Sequence, residues 1–332
     1  MADIAVLGAG LAGLLLAHEI RRRGGTVALA DETPGNDASR MAPGIINPLA
    51  GRKLRPNDDY AASRETTLAT FATLESRYGR QLWHPQPLVR LFENERQAAA
   101  FAQARREDGP NEWVGKVFAP GTHGPAIADP HGSFETLGAG WLDVPALVEA
   151  ARQVDAAEFV APEALREAAP VLVDCRGWRC SLDPHWATLP WKCARGEVLE
   201  IELADDLPRH LWNGGGWLQP LPKGTWRAGA TYAWSQFEAP PQLTARAELL
   251  GKLRRWLRAE GTLVGQAAGV RAVVVDYQPL LGALPGAPRR HLFSGLGSHG
   301  AIQGPPCAAL LARHLLEGAP LPRRLDVARF AG

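Results

Sequence analysis

Apolar residues and glycines follow one another at the start of the chain in an order that predicts three successive elements. Residues 4–7 read Ile-Ala-Val-Leu, residues 8–13 read Gly-Ala-Gly-Leu-Ala-Gly, and an apolar Ala/Leu-rich stretch follows. This pattern is typical of a buried strand, a tight glycine turn and the first turns of a helix. A second apolar run at residues 27–30 ends at Asp31. The segment therefore predicts a strand–helix–strand unit that binds a dinucleotide.

The glycines of this segment have separate structural roles in a dinucleotide site. Gly8 makes the tight turn, Gly10 lets the backbone approach the pyrophosphate, and Gly13 lets the helix pack closely on the strand. The first helical N–H groups then face the phosphates, and the expected contacts are Gly8, Gly10, Leu11, Ala12 and Gly13. Asp31 lies 18 residues after Gly13, where a carboxylate accepts hydrogen bonds from the adenosine ribose, and Glu32 is the neighbouring candidate.

Later segments alternate between helical spacing and short apolar runs. Helices are expected at residues 60–78, 93–106, 249–259 and 306–316, and after a cap at Asp143 or Val144 with Pro145 at the first helical position. Strands are expected at residues 86–92, 171–175 and 291–294, and at 197–203, 216–221 and 225–232, the last three in one antiparallel sheet. Strand-and-helix segments thus occur at the start, middle and end of the chain, with a sheet-rich insert between them. This order predicts a discontinuous dinucleotide domain that carries a second domain.

Composition narrows the class of protein without indicating an activity. The 332 residues suffice for two domains, and the net charge of +1 gives no broad basic field for nucleic acid. The four cysteines form no CxxC pair, so we expect free thiols and no metal site. No apolar run approaches the roughly 18 residues of a membrane helix, and no basic leader precedes the first strand. These properties predict a cytoplasmic protein that binds neither membrane nor DNA.

Three further stretches extend the N-terminal pattern. They are Ser39–Pro48 (Ser-x-x-Ala-x-Gly-x-x-x-Pro), Gly269-Val270-Arg271 with the segment Asp276–Gly282, and Gly295–Gly300 followed by Pro305-Pro306. Together with residues 4–31, they resemble the D-amino-acid oxidase/glycine oxidase family of FAD-dependent amine oxidoreductases, in the family's own order. The resemblance implies an α/β fold, in which a discontinuous Rossmann-like FAD-binding domain carries an inserted α+β substrate domain built on an antiparallel sheet.

The same resemblance divides the chain and implies its chemistry. Residues 1–53, 136–190 and 265–332 would form the FAD-binding domain, and residues 54–135 and 191–264 the substrate-binding domain. FAD is expected to bind non-covalently, because no cysteine or histidine lies in a recognisable tethering motif. The expected reaction oxidises the C–N bond of a small amino acid or secondary amine by hydride transfer to flavin N5, and water then hydrolyses the imine.

Residues within these stretches are candidates for the cofactor site. The resemblance implies cofactor contacts from Ser39, Arg40, Gly44, Ile45, Gly177, Arg271, Gly297, Ser298, His299, Gly300 and Ala301. Ser39 and Arg40 suit the pyrophosphate as a donor and a charge, and Gly44 suits a close backbone approach to the isoalloxazine. The N–H groups of residues 297–300 and the start of the last helix would stabilise negative charge at the flavin's pyrimidine edge.

Four residues are candidates for substrate binding and catalysis, namely Arg271, His299, Asn47 and Trp217. Arg271 is the expected anchor, because a planar guanidinium holds a carboxylate through two parallel hydrogen bonds. His299 is either a polar anchor or a bystander, and Asn47 would bond the flavin ring or the substrate. Trp217 and Trp234 would wall an aromatic pocket. Trp217 stands where many relatives have a tyrosine, so the phenol of the usual two-point carboxylate clamp is missing.

Some details favour one branch of the family, and several alternatives stay open. Residues 140–142, 229–232 and 295–300 look like the oxidase domain of the bifunctional tRNA wobble-uridine modification enzyme, which implies a carboxymethylaminomethyl group on tRNA as an alternative substrate. A small amine is preferred, because the chain lacks that enzyme's methyltransferase half and a net basic charge. An NAD(P)-dependent dehydrogenase and a non-catalytic flavoprotein are further alternatives. The electron acceptor is open, and residues 155–169 are shorter than the family's β-meander.

Overall fold

The computed structural model describes residues 2–31, 38–50, 60–107, 109, 111–168, 170–204 and 207–331. Its helices are α1 Leu11–Arg22, α2 Ala38–Met41, α3 Tyr60–Tyr78, α4 Glu95–Glu107, α5 Val144–Val154, α6 Pro162–Ala168, α7 Leu243–Leu253 and α8 Gly300–Glu317. Its strands are β1 Ile4–Leu7, β2 Val27–Ala30, β3 Ile45–Ile46, β4 Trp83–Pro85, β5 Leu88–Leu91, β6 Val114–Phe118, β7 Ser133–Thr136, β8 Gly140–Leu142, β9 Val171–Asp174, β10 Ala194–Leu203, β11 Leu211–Asn213, β12 Trp217–Pro220, β13 Trp226–Gly229, β14 Gly261–Arg271, β15 Leu280–Ala283 and β16 Arg290–Ser294. No helix in these ranges is long and apolar enough to cross a membrane.

Strands from the start, middle and end of the chain meet in one sheet, here called the parallel sheet. Within the described residues its order is β15-β16-β9-β1-β2, and β1, β2, β9 and β16 run parallel to their neighbours within this group. Because parallel strands align their carboxyl ends, the segments after Leu7, Asp174 and Ser294 emerge at one edge. Helices α1, α3, α5 and α8 bury their apolar residues in a shared core with these strands. The discontinuous Rossmann-like α/β fold is thereby confirmed.

A second, mostly antiparallel sheet, here called the large sheet, carries the rest of the site. In the described part of the chain its order is β14-β10-β13-β12-β11-β5-β7-β6. The three predicted antiparallel segments are β10, β12 and β13, and they do pair as neighbours. Trp212 and Trp226 are buried in its core. The domain limits stay a prediction, and two of them, 135/136 and 264/265, fall inside β7 and β14.

The helix expected at residues 249–259 begins and ends earlier in the chain. Helix α7 spans Leu243–Leu253 and ends before the predicted C-terminus, because the next residues pair with another segment. The carbonyl of Trp256 accepts a hydrogen bond from Ala128 N–H at 2.6 Å, and Arg258 N–H donates to Ala126 at 2.8 Å. Apolar spacing alone does not distinguish residues in a helix from residues that leave the helix to hydrogen-bond with a distant segment.

The last helix begins earlier than the predicted start at Pro306. Helix α8 starts at Gly300 and carries Pro305 and Pro306 inside it, although proline removes a helical N–H. The carbonyl of Ile302, which Pro306 cannot serve, accepts a hydrogen bond from the Thr67 hydroxyl at 3.0 Å. A buried side chain of α3 thus replaces a missing backbone donor, which keeps the helix continuous up to the cavity.

Around α5 and α6 the structure confirms the predicted cap at Asp143 and adds a helix that the sequence analysis did not predict. Asp143 caps α5 by accepting a hydrogen bond from Ala146 N–H at 3.0 Å, so Pro145 is the second helical residue instead of the first. The short stretch 155–169 contains α6, whose Leu165 packs against Ala5, Leu7 and Ala30 of the parallel sheet. Helix α6 therefore packs on this side of the sheet, next to the residues around Phe159 that bridge to Leu29 of β2.

Candidate active site

A cavity of about 1380 Å³ lies between the carboxyl edge of the parallel sheet and one face of the large sheet. Most residues proposed from the sequence line it, namely Gly8, Gly10, Leu11, Ala12, Asp31, Ser39, Gly44, Ile45, Asn47, Gly177, Trp217, Arg271, Gly297, Ser298, His299, Gly300 and Ala301. Gly13 and Arg40 are not among the lining residues. Glu32 lies outside the described residues.

The N-terminal glycine turn brings backbone to the cavity. Gly8 has a φ of +105° and a Cβ there would lie 2.7 Å from the carbonyl carbon of Cys175, so only glycine fits. Gly13 packs on the turn instead, since a Cβ at this position would clash with the carbonyl oxygen of Gly8. Its place behind the turn matches the packing role expected of the third glycine and explains why it does not line the cavity.

The first turn of α1 opens onto the cavity. Leu11 N–H donates to the Ser39 hydroxyl oxygen at 3.0 Å, which holds the short helix α2 against the start of α1. No acidic residue occupies the first turn of α1, so its positive dipole end is not neutralised there. This arrangement suits an anion such as a pyrophosphate.

Asp31 occupies the end of β2 and has two partners. Its Oδ1 accepts a long hydrogen bond from Ala9 N–H at 3.4 Å, and its Oδ2 forms an ion pair with Arg152 of α5. Asp31 also lines the cavity. Arg152 was missed by the sequence reasoning, because it is 121 residues away in the chain and carries no local motif.

A buried carboxylate holds the segment that follows β9. Asp174 is fully buried and accepts hydrogen bonds from Arg176 Nη2 at 2.6 Å and from Trp186 Nε1 at 3.2 Å. Gly177 follows with a φ of +61°, and its carbonyl accepts a hydrogen bond from Ser294 Oγ at 3.1 Å. The network therefore fixes two neighbouring carboxyl-edge loops against each other at the cavity.

The loop around Gly44 meets a different partner from the one expected. Gly44 has a φ of +63°, and a Cβ would clash with the carbonyl oxygen of Leu142. Its close backbone approach is therefore to β8, although it also lines the cavity. Asn47 uses its side-chain oxygen in its own turn, accepting from Leu49 N–H at 3.0 Å. The side-chain amide nitrogen of Asn47 is then the group that would donate a hydrogen bond to a ligand.

The C-terminal glycine turn presents a second helix N-terminus. Gly297 has a φ of +54°, and its N–H donates to the carbonyl of Ala272 at 2.9 Å. Ser298 and His299 are exposed toward the cavity, and α8 begins at Gly300, whose Cβ position lies 3.1 Å from Leu11. The starts of α1 and α8 are therefore neighbours. The protein around the cavity desolvates the imidazole and lowers the pKa of His299 below its usual value, although the ring is open to the cavity.

Arg271 ends β14 with its side chain on the cavity face of the large sheet. Its Cζ lies 4.4 Å from the ring centroid of Tyr232, and its Nη1 lies 3.5 Å from the carbonyl oxygen of Thr231. Burial lowers the pKa of Arg271, and the Tyr232 phenol opposes that shift. Among the described residues no carboxylate forms an ion pair with Arg271. A desolvated cation of this kind is suited to receive an anion.

Glycines of the large sheet make room for the larger side chains of the cavity. Gly196 pairs with Gly269, and a Cβ on Gly196 would lie 2.5 Å from both terminal nitrogens of Arg271. Trp217 pairs with Gly229, and its ring covers that glycine. Trp234, expected to wall the pocket with Trp217, is 56% exposed and does not line the cavity.

Two contributors to the Arg271 environment were not proposed as site residues. Tyr232 stood in a motif that carried the family resemblance, and Gly196 directly precedes the strand predicted at residues 197–203. Both residues matter because of the side chain that lies next to them on a neighbouring part of the sheet. The register of strand pairing decides those neighbours, and one sequence does not give that register. Groups of His, Cys, Asp or Glu that could hold a metal are absent from the described ranges, and all four cysteines are buried free thiols.

These features fit FAD. A glycine cradle that a Cβ would fill, two adjacent helix N-termini and a carboxylate at the end of β2 are the groups that a dinucleotide's phosphates and ribose require. The second helix N-terminus would stabilise negative charge on a ring placed against it. The cavity continues from there to Arg271.

Comparisons with known proteins agree with this fit. The family model described as "FAD dependent oxidoreductase" (DAO) matches residues 3–314. The bifunctional protein MnmC of tRNA 5-methylaminomethyl-2-thiouridine biosynthesis is 27% identical in Maricaulis maris, over 96% of this chain and 52% of that protein. In Marinobacter nauticus it is also 27% identical, over 98% and 58%. The chain thus spans little more than half the length of these curated relatives.

Solved structures share the fold along the whole chain. Iminodiacetate oxidase from Chelativorans sp. BNC1 superposes with a TM-score of 0.80 at 17% identity, covering 97% of this chain and 99% of that one. Glycine oxidase from Geobacillus kaustophilus gives a TM-score of 0.78 at 20% identity, with coverages of 99% and 97%. Because the family model matches residues 3–314 of this chain, the chain belongs to the DAO family of FAD-dependent oxidoreductases, and FAD is its cofactor.

Proposed function

We propose that this chain oxidises the C–N bond of a small amino acid or secondary amine that carries a carboxylate next to the reacting carbon. The observation that carries the proposal is Arg271, a half-buried guanidinium on the cavity face without a carboxylate partner among the described residues. A substrate carboxylate would supply that partner through two parallel hydrogen bonds.

The surroundings of Arg271 favour binding in one orientation. The Tyr232 ring covers the guanidinium at 4.4 Å and the Thr231 carbonyl lies near Nη1, so the side chain is held before a ligand arrives. Preorganisation of this kind lowers the entropy cost of binding. Trp217 supplies an apolar wall in place of the usual phenol, which leaves Arg271 as the principal carboxylate anchor.

The chain's other residues act on charge and protons. Bound FAD supplies the oxidant, accepting two electrons and a hydrogen from the carbon next to the substrate nitrogen. The N-terminus of α8, which begins at Gly300, would stabilise the negative charge that develops nearby. His299, whose pKa is lowered by burial, is neutral near pH 7 and can accept a hydrogen bond from the substrate amine. Non-covalent binding of FAD remains part of the proposal.

A second candidate is oxidation of a carboxymethylaminomethyl group on a modified tRNA uridine. Two observations favour it: the MnmC relatives act in tRNA biosynthesis by name, and Tyr232 exposes 58% of its surface beside Arg271, where a base can stack. Both candidate substrates contain the same reacting unit, an amine with a carboxymethyl group. The small amine stays preferred, because a net charge of +1 favours no polyanion.

Anaerobic reduction of the bound FAD distinguishes the two. The FAD-loaded protein would be mixed separately with glycine, sarcosine, iminodiacetate and tRNA bearing the carboxymethylaminomethyl uridine, and the loss of yellow absorbance recorded. Bleaching by a small amine supports the preferred function, and bleaching by the tRNA alone supports the second candidate. If no carboxymethyl amine bleaches the flavin, the proposed function is wrong.

A further inference from the structure

A lysine held between two exposed aromatic rings lies outside the machinery described so far. The Nζ of Lys192 donates a hydrogen bond to the Tyr277 hydroxyl at 2.6 Å. It lies 4.9 Å from the ring centroid of Tyr277 and 5.4 Å from that of Trp234. Both distances are within the range of cation–π attraction. The ammonium group is therefore held in place by its aromatic neighbours.

This group, here called the Lys192 cluster, stands beside the cavity. Lys192 N–H donates to the carbonyl of Val273 at 2.7 Å, two residues after Arg271. Trp234 follows Tyr232, which lines the cavity, by two residues, and Tyr277 directly precedes Gln278, which also lines it. Val273 directly follows Ala272, which also lines the cavity, so each member lies within two residues of a lining residue, along the chain or across one hydrogen bond, although none of the three lines the cavity itself. The cluster therefore lies close to the cavity, near Arg271.

The cluster exposes both charge and aromatic surface. Trp234 is 56% exposed and Tyr277 is 57% exposed, and in the part of the chain that the structure describes Lys192 forms no ion pair with a carboxylate. A cation that has lost its freedom of movement without an acidic partner leaves two N–H donors for a ligand. Large exposed rings next to it offer flat apolar contact to whatever carries the negative charge.

The backbone at Tyr277 is held in an unfavourable conformation. Its φ is +58°, a left-handed value that a bulky side chain rarely adopts. Three contacts keep it there: Tyr277 N–H donates to Val274 at 3.0 Å, Gln278 N–H to Asp276 at 3.0 Å, and Arg329 to Asp276 at 2.9 Å. Strained residues that their surroundings over-determine cluster at ligand clamps, which sets this turn apart from an ordinary surface loop.

We infer that the Lys192 cluster binds a second anionic group of the substrate, while Arg271 holds the carboxylate next to the reacting carbon. The inference rests on the proposed function for the role of Arg271. Arg271 lines the cavity and the three residues of the cluster do not, so the second anion belongs to a part of the substrate that extends beyond the cavity, away from the reacting centre. Such a group is a carboxylate or phosphate on a small amine, or a backbone phosphate of a nucleotide whose base packs on the rings.

The test compares binding of one and two anionic groups to the FAD-loaded protein under anaerobic conditions, after its flavin has been reduced with dithionite so that no ligand is oxidised. Calorimetric titration with sarcosine, which has one carboxylate, and with iminodiacetate, which has two, would be repeated for Lys192→Met. Methionine keeps the length and the contact with the rings but removes the charge. The Kd for iminodiacetate is expected to rise about tenfold, the size of one lost charge-assisted contact, and the Kd for sarcosine to stay unchanged. Lys116→Met is the matched control, because Lys116 lies 5.0 Å from the Phe118 ring and away from the cavity.

A third probe separates the two sources of the anion. A single-stranded uridine-containing oligoribonucleotide would be titrated into the same proteins. If Lys192→Met weakens only this probe by about tenfold, the anion is a nucleotide phosphate, and the inference stands with that source. If Lys192→Met leaves both iminodiacetate and the oligonucleotide unaffected, the inference is overturned. Binding is measured without turnover, so a failure of the oxidation itself would show separately as an absence of flavin bleaching.

Discussion

The guanidinium of Arg271 lies directly over the backbone of Gly196, in the space where any other residue would place its Cβ. Both terminal nitrogens of Arg271 are 2.5 Å from that position. The two residues belong to neighbouring antiparallel strands, β14 and β10. Gly196 is therefore a positioning residue for the proposed carboxylate anchor.

Replacing Gly196 by alanine would displace Arg271 while leaving the fold intact, because the atoms in the way are the far end of a flexible side chain. We expect KM for a carboxylate-bearing amine to rise about tenfold with kcat changed much less. The matched control is Gly265→Ala on the paired strand β14, where the nearest atom to a new Cβ is 3.4 Å away in Glu200. Equal KM values for Gly196→Ala and Gly265→Ala would contradict the positioning role.

The partners of Asp31 lead to a prediction about FAD affinity. If Asp31 accepts hydrogen bonds from the adenosine ribose, Asp31→Ala should weaken FAD binding about tenfold or more. Arg152→Met removes the ion pair with Asp31 but leaves the carboxylate, so its effect should be smaller. Fluorescence titration of the apoprotein with FAD measures both. Equal losses in the two variants would mean that Asp31 acts only through Arg152.

The hydrogen bond from Thr67 to Ile302 predicts a loss of stability on its removal. Thr67→Val leaves the carbonyl of Ile302 inside α8 without a donor, which should lower the free energy of unfolding by about 1–3 kcal/mol and the Tm by a few degrees. Thr66→Val is the control, since it makes the same change of helix propensity one residue earlier on α3. A Tm loss no larger than that of the control would show that this hydrogen bond contributes little.

A buried histidine predicts acid sensitivity. His18 on α1 is 7% exposed and faces the Thr73 hydroxyl at 2.9 Å. Burial, helped by Arg21 and Arg22, lowers the pKa of His18 to about 4. Because the unfolded state then binds the proton more readily than the folded state, stability is complete above pH 6.5 and falls as the pH drops toward 4.

The size of that effect can be measured with one variant. The loss between pH 7 and pH 4 from His18 is on the order of 3 kcal/mol. Glutamine at this position keeps a hydrogen bond to Thr73 but does not titrate. His18→Gln should therefore show a shallower fall of Tm between pH 6.5 and pH 4.5 than the wild type. Parallel curves for the two proteins would mean that other groups cause the acid sensitivity.

Local sequence signals predicted the dinucleotide half of the site. The order of apolar run, glycine turn and helix at Gly8–Gly13 constrains the backbone so closely that strand, turn and helix start follow from it. Asp143 likewise predicted the cap of α5, because its partner is only three residues away. Arg271 was proposed from the family resemblance, and its place on the cavity wall agrees with that proposal.

Features that depend on chain pairing could not be predicted from one sequence. Gly265 and Gly269 gave β14 little strand propensity, yet β10 pairs with β14 along its whole length. Arg152 of α5 reaches Asp31 from 121 residues away in the chain, and Thr67 of α3 supplies the donor for a carbonyl that Pro306 of α8 cannot serve. In each case a residue distant in the chain supplies the missing partner.

The proposed role of Arg271 as the anchor of the substrate carboxylate can be measured as a selectivity for carboxylate over amide. Anaerobic flavin reduction would be followed for wild type and Arg271→Ala, each with a carboxylate-bearing amine and with its uncharged amide. We expect the preference for the carboxylate over the amide to fall on the order of 10–100-fold in Arg271→Ala. If Arg271→Ala lowers the rate of flavin reduction and the affinity equally for the carboxylate and the amide, Arg271 does not hold the substrate carboxylate, and the proposed function loses the observation that carries it.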